Sequence, residues 1–455
     1  MELTLATILI IIFMPFAVQR RVTLATAIVT FALIFFPGSI WLAFYYGGWH
    51  LPPVSQSVLI TTYSAIALYM AGVLAAGHLL KLYRWPVELF ALPGKGISKK
   101  SIFIVFAAVW VIRIYGGIEY GIFFSGTASA NAVLSQSYYF VIAYQIVQLF
   151  IHGVVLYIAF NYRKIRTIGL IILTSEFAWA FISGRRELFY MFILLALPYI
   201  VKMASPRFWP RLFVIGTLSV ITIAIGSSIF LQARLYAQNY PSKNGVKAAV
   251  YGLKRAGYDF LHFRSSLNEG ARANLATRPI DITRSIESVA ASQDLGFNKL
   301  NGSALLRSIR WALPSIIVAK PSLQTEQYIQ SETGQQLTDA GISVPTVGIA
   351  DFGPFGCFVY GALFVIAGNC ILLMIRKRKS YILLNYAVPA GLFLLAFNVE
   401  QDPLSIFVFI RNVFILLIIL FFYSKLRQLL PHQSRLSGYR IRIGFGDHRS
   451  AQADA

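Results

Sequence analysis

The residues of this chain best suited to chemistry are arginines and carboxylates placed near the ends of apolar stretches. Ser183-Gly184-Arg185-Arg186-Glu187 puts two arginines into a tight polar turn, and Arg234 stands where an apolar stretch gives way to a long polar one. In Leu305-Leu306-Arg307-Ser308-Ile309-Arg310-Trp311-Ala312-Leu313, apolar residues recur at helical spacing with Arg307 and Arg310 one turn apart. That helix either seats its loop on a membrane surface or turns an arginine pair toward phosphate. Carboxylates follow at Asp351, within Asp351-Phe352-Gly353-Pro354-Phe355-Gly356, and at Glu400 and Asp402, within Glu400-Gln401-Asp402-Pro403. Guanidinium groups grip phosphate through paired N–H donors. A lipid-linked phosphate is therefore a natural partner of Arg185 and Arg186, with ordinary headgroup binding as the alternative. Carboxylates gathered with arginines on one face are suited to moving a proton beside a bound phosphate.

The elements that must position these residues are membrane spans. The 455-residue chain is 57% hydrophobic and 13% charged, with a mean hydropathy of +0.65, far from a soluble domain with about a quarter of its residues charged. A hydrocarbon core of ~30 Å needs ~20 apolar residues per helix. About eleven stretches qualify: Leu3–Val18, Val22–Tyr46, Ser57–Leu80, Ile102–Phe124, Tyr138–Tyr162, Thr167–Ser183, Leu188–Met203, Leu212–Leu231, Thr346–Ile375, Tyr381–Asn398 and Leu404–Tyr423. Leu3–Val18 lacks the basic leader and small-residue cleavage site of a signal peptide and is kept as a span. Between Arg234 and Val344 nothing is apolar enough to cross. Expected domains are a bundle of about eight spans over 1–232, an insert with short helices over 233–345, three spans over 346–424, and a basic tail over 425–455.

Charge orients this arrangement. The formal net charge is +22, but with eleven spans the basic clusters all fall on one side: Arg20-Arg21, Lys95 to Lys100, Arg163-Lys164-Arg166, Lys202 to Arg211, Arg376 to Lys379 and the tail. The positive-inside rule makes that side the cytoplasm, and the charge holds loops to anionic lipid. The N-terminus and the insert then lie outside, in the periplasm if the membrane is a bacterial inner membrane. The insert holds 13 basic and 8 acidic residues, which suits an anionic ligand and not a nucleic acid. Its aromatics include Tyr236, Tyr258 and Trp311, which can stack on sugar faces or simply pack the loop.

Other chemistries lack their residues. Cys357 and Cys370 lie within one span on different faces, the six histidines show no metal spacing, and no phosphate-binding glycine motif or repeat is present. No metal or other cofactor is expected. Arg113, Glu119, Glu176 and Arg411 fall inside spans and should face the bundle interior or a wet cavity. Arg113 and Glu119 are badly spaced to pair with each other, so Glu176 and Arg411 are candidate partners from other helices.

Four places and the overall layout resemble bacterial oligosaccharide repeat-unit polymerases, the Wzy-type O-antigen or exopolysaccharide polymerases. They are Ser183-Gly184-Arg185-Arg186 opening an apolar run; Gln232-Ala233-Arg234 before the long insert; Trp311-Ala312-Leu313-Pro314 through Lys320-Pro321 to Pro345-Thr346-Val347-Gly348 and Asp351-Phe352-Gly353-Pro354-Phe355-Gly356; and Glu400 to Asp402 with Arg411 in the closing span. Arg234 and Gly245 also match an Arg-x10-Gly spacing of some polymerase loops. The resemblance implies an all-α polytopic membrane protein of the GT-C type and a metal-independent glycosyltransferase. Its donor would be a glycan on undecaprenyl diphosphate and its acceptor a second lipid-linked repeat unit, with a chain-length co-polymerase as a possible partner. Arg185, Arg186, Arg234, Arg310 and Arg411 would hold the diphosphate, and Asp351, Glu400 or Asp402 would be the base. Tyr236, Tyr258 and Trp311 would meet sugars. An O-antigen ligase, which depends on a loop histidine and here would have to use His262, is one rival. A polysaccharide flippase or exporter without catalysis is the other.

Overall fold

A computed structural model of the chain describes residues 1–17, 22–45, 54–82, 97–120, 138–162, 165–183, 185–200, 209–240, 245–262, 269–315, 317–334, 342–376, 382–398 and 403–429. Every regular element among them is an α-helix. The N-terminal half contributes α1 (Glu2–Ala17), α2 (Leu24–Phe35), α3 (Pro37–Tyr45), α4 (Gln56–Leu82), α5 (Lys99–Tyr120), α6 (Tyr138–Asn161), α7 (Arg166–Ser183), α8 (Arg185–Ile200) and α9 (Trp209–Gln238). The insert holds α10 (Gly245–Leu261), α11 (Glu269–Asp294), α12 (Ser303–Ala312) and α13 (Thr325–Thr333). Then come α14 (Val344–Phe352), α15 (Pro354–Arg376), α16 (Leu384–Phe397) and α17 (Pro403–Leu429).

Seven segments among the described residues are helical, long and apolar enough to cross a membrane, with shorter apolar helices at Glu2–Ala17, Glu187–Ile200 and Leu384–Phe397. On α5 alone, Phe103, Ile104, Val111, Ile114 and Ile118 stand exposed, an arrangement water would penalise and lipid favours. The protein is an all-α polytopic membrane protein. Met1–Val413 forms one compact unit, insert included; Phe414–Ala455, described only as the rest of α17, forms another.

Where they are described, the expected apolar stretches fall on helix, but Thr346–Ile375 is not one rod. Helix α14 opens on Ser343, whose Oγ accepts from the Thr346 amide at 3.3 Å, and it stops at Gly353, where φ is +70°. A left-handed residue cannot continue a right-handed helix, so the chain reverses there and Pro354 starts α15. The two helices touch backbone to backbone: a Cβ on Gly356 would stand 2.1 Å from the Gly348 carbonyl oxygen. The same device joins α4 to α15, where a Cβ on Gly72 would meet the Phe358 carbonyl oxygen at 2.1 Å. Small residues allow such approach, and in lipid the dispersion contacts it brings replace the missing hydrophobic drive.

The insert is folded onto this bundle and not held as a separate domain. Its helices are longer than expected, since α10 has 17 residues and α11 has 26. Ile282, Ile286, Val289 and Ala290 bury one stripe of α11, which packs on α3, α4 and α14. Polar side chains pin it there: Ser285 and Thr346 hydroxyls lie 2.9 Å apart, Gln293 donates to the Ile349 carbonyl at 2.7 Å, and Ser57 donates to Asp294.

Glu287 on α11 is buried with little compensation. Burial first, and then the nearby Glu2 carboxylate, push it from 4.5 to about 7, against a smaller opposing pull from Arg284. The unfolded chain ionises at the lower value, so the folded state binds the extra proton between the two. The contribution to stability is therefore fully present below pH 4.5, falls as pH rises, and is gone above about 7. Glu287→Gln should remove that slope, worth about 3 kcal/mol across the window. Unfolding midpoints of wild type and variant in detergent, measured from pH 4.5 to 8, check it.

Candidate functional site

One face of α6 organises the polar interior. Gln145, Gln148 and His152, at i, i+3 and i+7, share that face over about 10 Å of helix. Four other helices bring polar groups to it. From α5, Arg113 donates to both Glu176 oxygens on α7, at 2.7 and 2.9 Å, and to Gln148 Oε1 at 3.0 Å. Gln148 Nε2 then donates to Glu187 Oε2 on α8 at 3.1 Å, and His152 Nε2 lies 3.4 Å from the same oxygen. From α17, Arg411 and Asn412 both donate to Gln145 Oε1, at 3.0 and 3.1 Å.

Burial decides what each group can do. Arg113 is 1% and Glu176 3% exposed, and the Arg113 guanidinium lies 4.7 Å from the centre of the Trp179 ring. This pair is enclosed and fastens α5 to α7, as expected for ionisable residues inside an apolar bundle. Glu187 differs, with 25% of its side chain exposed. Tyr190, one turn along α8, stacks edge-on to His152 and accepts from Asn398 at the end of α16.

The insert closes on the Arg411 end of this face. Arg411 Nη1 donates to the Ala312 carbonyl at 2.8 Å, and Lys320 donates to the carbonyls of Trp311 and Leu313. Two cations thus cap the C-terminus of α12, where unpaired carbonyls and the helix dipole favour positive charge. Burial, and then the Arg411 charge, pull Lys320 below the usual lysine value. The result is a knot of positive charge held at Gln145, one turn along α6 from the Gln148 that bonds Glu187.

Against the residues singled out in sequence, the structure brings Arg411 and Trp311 together at the end of α12, where the Trp311 indole donates to the Leu323 carbonyl at 3.0 Å. Asp351 sits at the opposite end. Fully buried, it accepts from the amides of Ala304 and Leu305 at 3.0 Å each and from the Tyr360 hydroxyl at 2.7 Å. Its carboxylate is a helix cap with both oxygens engaged in a closed core, a geometry that suits structure. Arg307 donates to the Leu323 carbonyl at 2.9 Å and covers the Tyr328 ring at 4.0 Å, while Arg310 stands exposed. The two therefore do not act as a pair on one ligand. Tyr236 donates to Asp259 and fastens α9 to α10; Arg234, two residues earlier, lies half-buried, and Gly245 opens α10.

Tyr258 is exposed and stacks on His262 at 4.0 Å. The His262 Nδ1 lies 2.8 Å from the Tyr258 carbonyl, within its own helical turn. Glu119, expected to face the interior, is exposed in the last turn of α5. Arg185 and Arg186 open α8, but their side chains lie outside the described residues, as do Glu400 and Asp402. Compared with family models, curated proteins and solved structures, the chain has no match. The site therefore rests on its own geometry. Among the described residues no cluster of three or more His, Cys, Asp or Glu is arranged to hold a metal.

The residues that sequence reasoning passed over are Gln145, Gln148, His152, Glu187, Lys320 and Asn412. The signal for the first three was present as polar residues at one-face spacing inside an apolar run. Glu187 was masked by its neighbours, since a carboxylate beside two arginines looks like their local counter-ion.

Proposed function

We propose that the protein polymerises undecaprenyl-diphosphate-linked oligosaccharide repeat units into O-antigen or exopolysaccharide, at the periplasmic face of a bacterial inner membrane. The fold is then an eleven-span, GT-C-like bundle with the N-terminus and insert outside and the C-terminus in the cytoplasm. The observation that carries this reading is the knot of Arg411 and Lys320 under α12, one turn along α6 from a carboxylate network. Glycosyl transfer from a lipid diphosphate needs positive charge on the departing phosphates and an acceptor for the hydroxyl proton. Both are supplied here on the insert side of the bundle. Arg185 and Arg186 open α8, and Arg234 and Arg310 lie on α9 and α12, as further candidates for the diphosphate. The resemblance in sequence motifs adds to this argument independently of the geometry.

The test is glycan chain length in a strain lacking the gene, complemented with wild type, Arg411→Ala or Arg411→Lys. Deletion should collapse the ladder to one repeat unit still attached to its final acceptor. Arg411→Ala should cut polymer by about 10²- to 10³-fold, and Arg411→Lys should retain part of it, because the charge survives without the fork. Loss of even the single unit would indicate a ligase or a flippase. An unchanged ladder rejects glycan polymerisation altogether.

A further inference from the structure

With Asp351 committed as a helix cap, the described residues leave the proton acceptor to be found elsewhere. We propose that Glu187 is the catalytic base, held in place by Gln148 and His152. This inference rests on the polymerase reading and deepens it.

Among the described residues three buried or half-buried carboxylates compare directly, and their partners separate them. Glu176 has both oxygens bonded to Arg113 and is 3% exposed. Asp351 has both oxygens bonded within a closed core. Glu187 has both of its bonds on Oε2, and Oε1 has no hydrogen-bond partner among the described residues. It is also the one of the three with a quarter of its side chain open. A free, accessible carboxylate oxygen is what proton abstraction requires, and a base must be within hydrogen-bond reach of the hydroxyl it serves.

Charge balance favours the same residue. The Arg113 guanidinium is the near partner of Glu176, and it reaches Glu187 only through the Gln148 amide. Glu187 therefore meets that charge only at second hand, and its direct partners are the Gln148 amide and the His152 ring. His152 completes the clamp and is wedged edge-on against Tyr190. Along α6 the next polar group toward the insert is Gln145, which holds Arg411. Gln145, which holds the cation, and Gln148, which holds the base, thus stand one turn apart on α6.

The step is a displacement. The acceptor hydroxyl oxygen bonds to the anomeric carbon of the donor while the bond from that carbon to the diphosphate oxygen breaks. The bonding pair leaves on undecaprenyl diphosphate, next to Arg411 and Lys320, and the hydroxyl proton passes to Glu187 Oε1. Gln148 and His152 are positioning residues in this scheme.

The experiment uses purified full-length protein and, as substrate, lipid-linked repeat units extracted from the strain lacking the gene. Glu187→Gln keeps size and can still accept from Gln148, and it should lower the polymerisation rate by about 10²- to 10⁴-fold. Glu187→Ala should lose as much and regain at least tenfold on adding formate, a small carboxylate able to occupy the vacated space. His152→Gln should lower kcat by about tenfold and leave KM unchanged. Monodispersity in detergent identifies folded protein. Full activity of Glu187→Gln overturns the inference while polymerisation by wild type still stands. Loss in a monodisperse Glu187→Ala that formate does not restore also overturns it, assigning Glu187 a structural role. If wild type itself makes no polymer from the extract and deletion leaves the cellular ladder unchanged, it is the polymerase reading that fails.

Discussion

Arg113→Met should destabilise the protein by about 3–5 kcal/mol, the range for removing one partner of a buried ion pair. The guanidinium is the sole charged partner within hydrogen-bond reach of Glu176 among the described contacts, and both residues are almost completely enclosed. Methionine matches the volume of the side chain but leaves a carboxylate in an apolar bundle with nothing to meet its charge. It also frees Gln148 Oε1 and removes the cation from the face of Trp179. The larger lesson comes from the double variant. Arg113→Met with Glu176→Met should recover most of the loss, since two apolar side chains replace a pair whose desolvation offsets much of its attraction. Unfolding midpoints of the two single variants and the double variant in detergent give the coupling directly. Additive losses would show that the two residues do not depend on each other.

Asp351→Ala should cost about 3–5 kcal/mol as well, by a different route. Helix α12 begins at Gly302, which has φ +85° and no side chain to cap the first turn. Its exposed amides are served instead by Asp351, 47 residues further along the chain, which accepts from Ala304. A second oxygen accepts from Leu305 and from Tyr360. Alanine strands three donors at once, two of them buried and one half-buried, and each buried unsatisfied donor carries a penalty of about 1–3 kcal/mol. The loss is local, because this carboxylate is what ties α12 to the hairpin of α14 and α15. Amide exchange at Ala304 and Leu305 should rise sharply, and the 303–312 segment should become a site of proteolytic cleavage. Asp351→Asn, which keeps one acceptor oxygen, should fall between wild type and alanine. Equal protection of α12 in all three proteins would refute the capping role.

Much of this architecture was legible because lipid imposes simple demands. A bilayer requires long apolar helices with no unpaired backbone, so the expected apolar stretches fall on helix where they are described, seven of the described segments being long enough to cross. The amphipathic spacing of 305–313 likewise identified α12. The break within Thr346–Ile375 was less visible. Hydropathy averages over a window and does not register one residue, and the reversal depends on a single left-handed glycine at 353.

Candidate site residues were legible by type and not by role. An arginine and a carboxylate inside spans announce a polar interior, since neither can face lipid at low cost. Which carboxylate meets Arg113, and that Glu119 turns outward, depends on helix rotation and neighbour choice, for which one sequence holds no information. Asp351 shows the limit most clearly. Its type marked it as a candidate base, and only the packing shows its oxygens engaged by the amides of Ala304 and Leu305, far along the chain, and by the nearby Tyr360 hydroxyl.

The amino-acid sequence by itself determined that this is a polytopic helical membrane protein with one long polar insert, because apolar length and charge are properties of the chain read in order. Only the tertiary structure decided that Gln145, Gln148 and His152 gather Arg411, Arg113 and Glu187 onto one face of α6. Among the described residues it alone divided the carboxylates into one in a buried ion pair, a helix cap and one bonded through a single oxygen. The physical reason is that hydrogen-bond saturation and solvent access arise from contacts between helices far apart in sequence, and those contacts exist only once the bundle has packed.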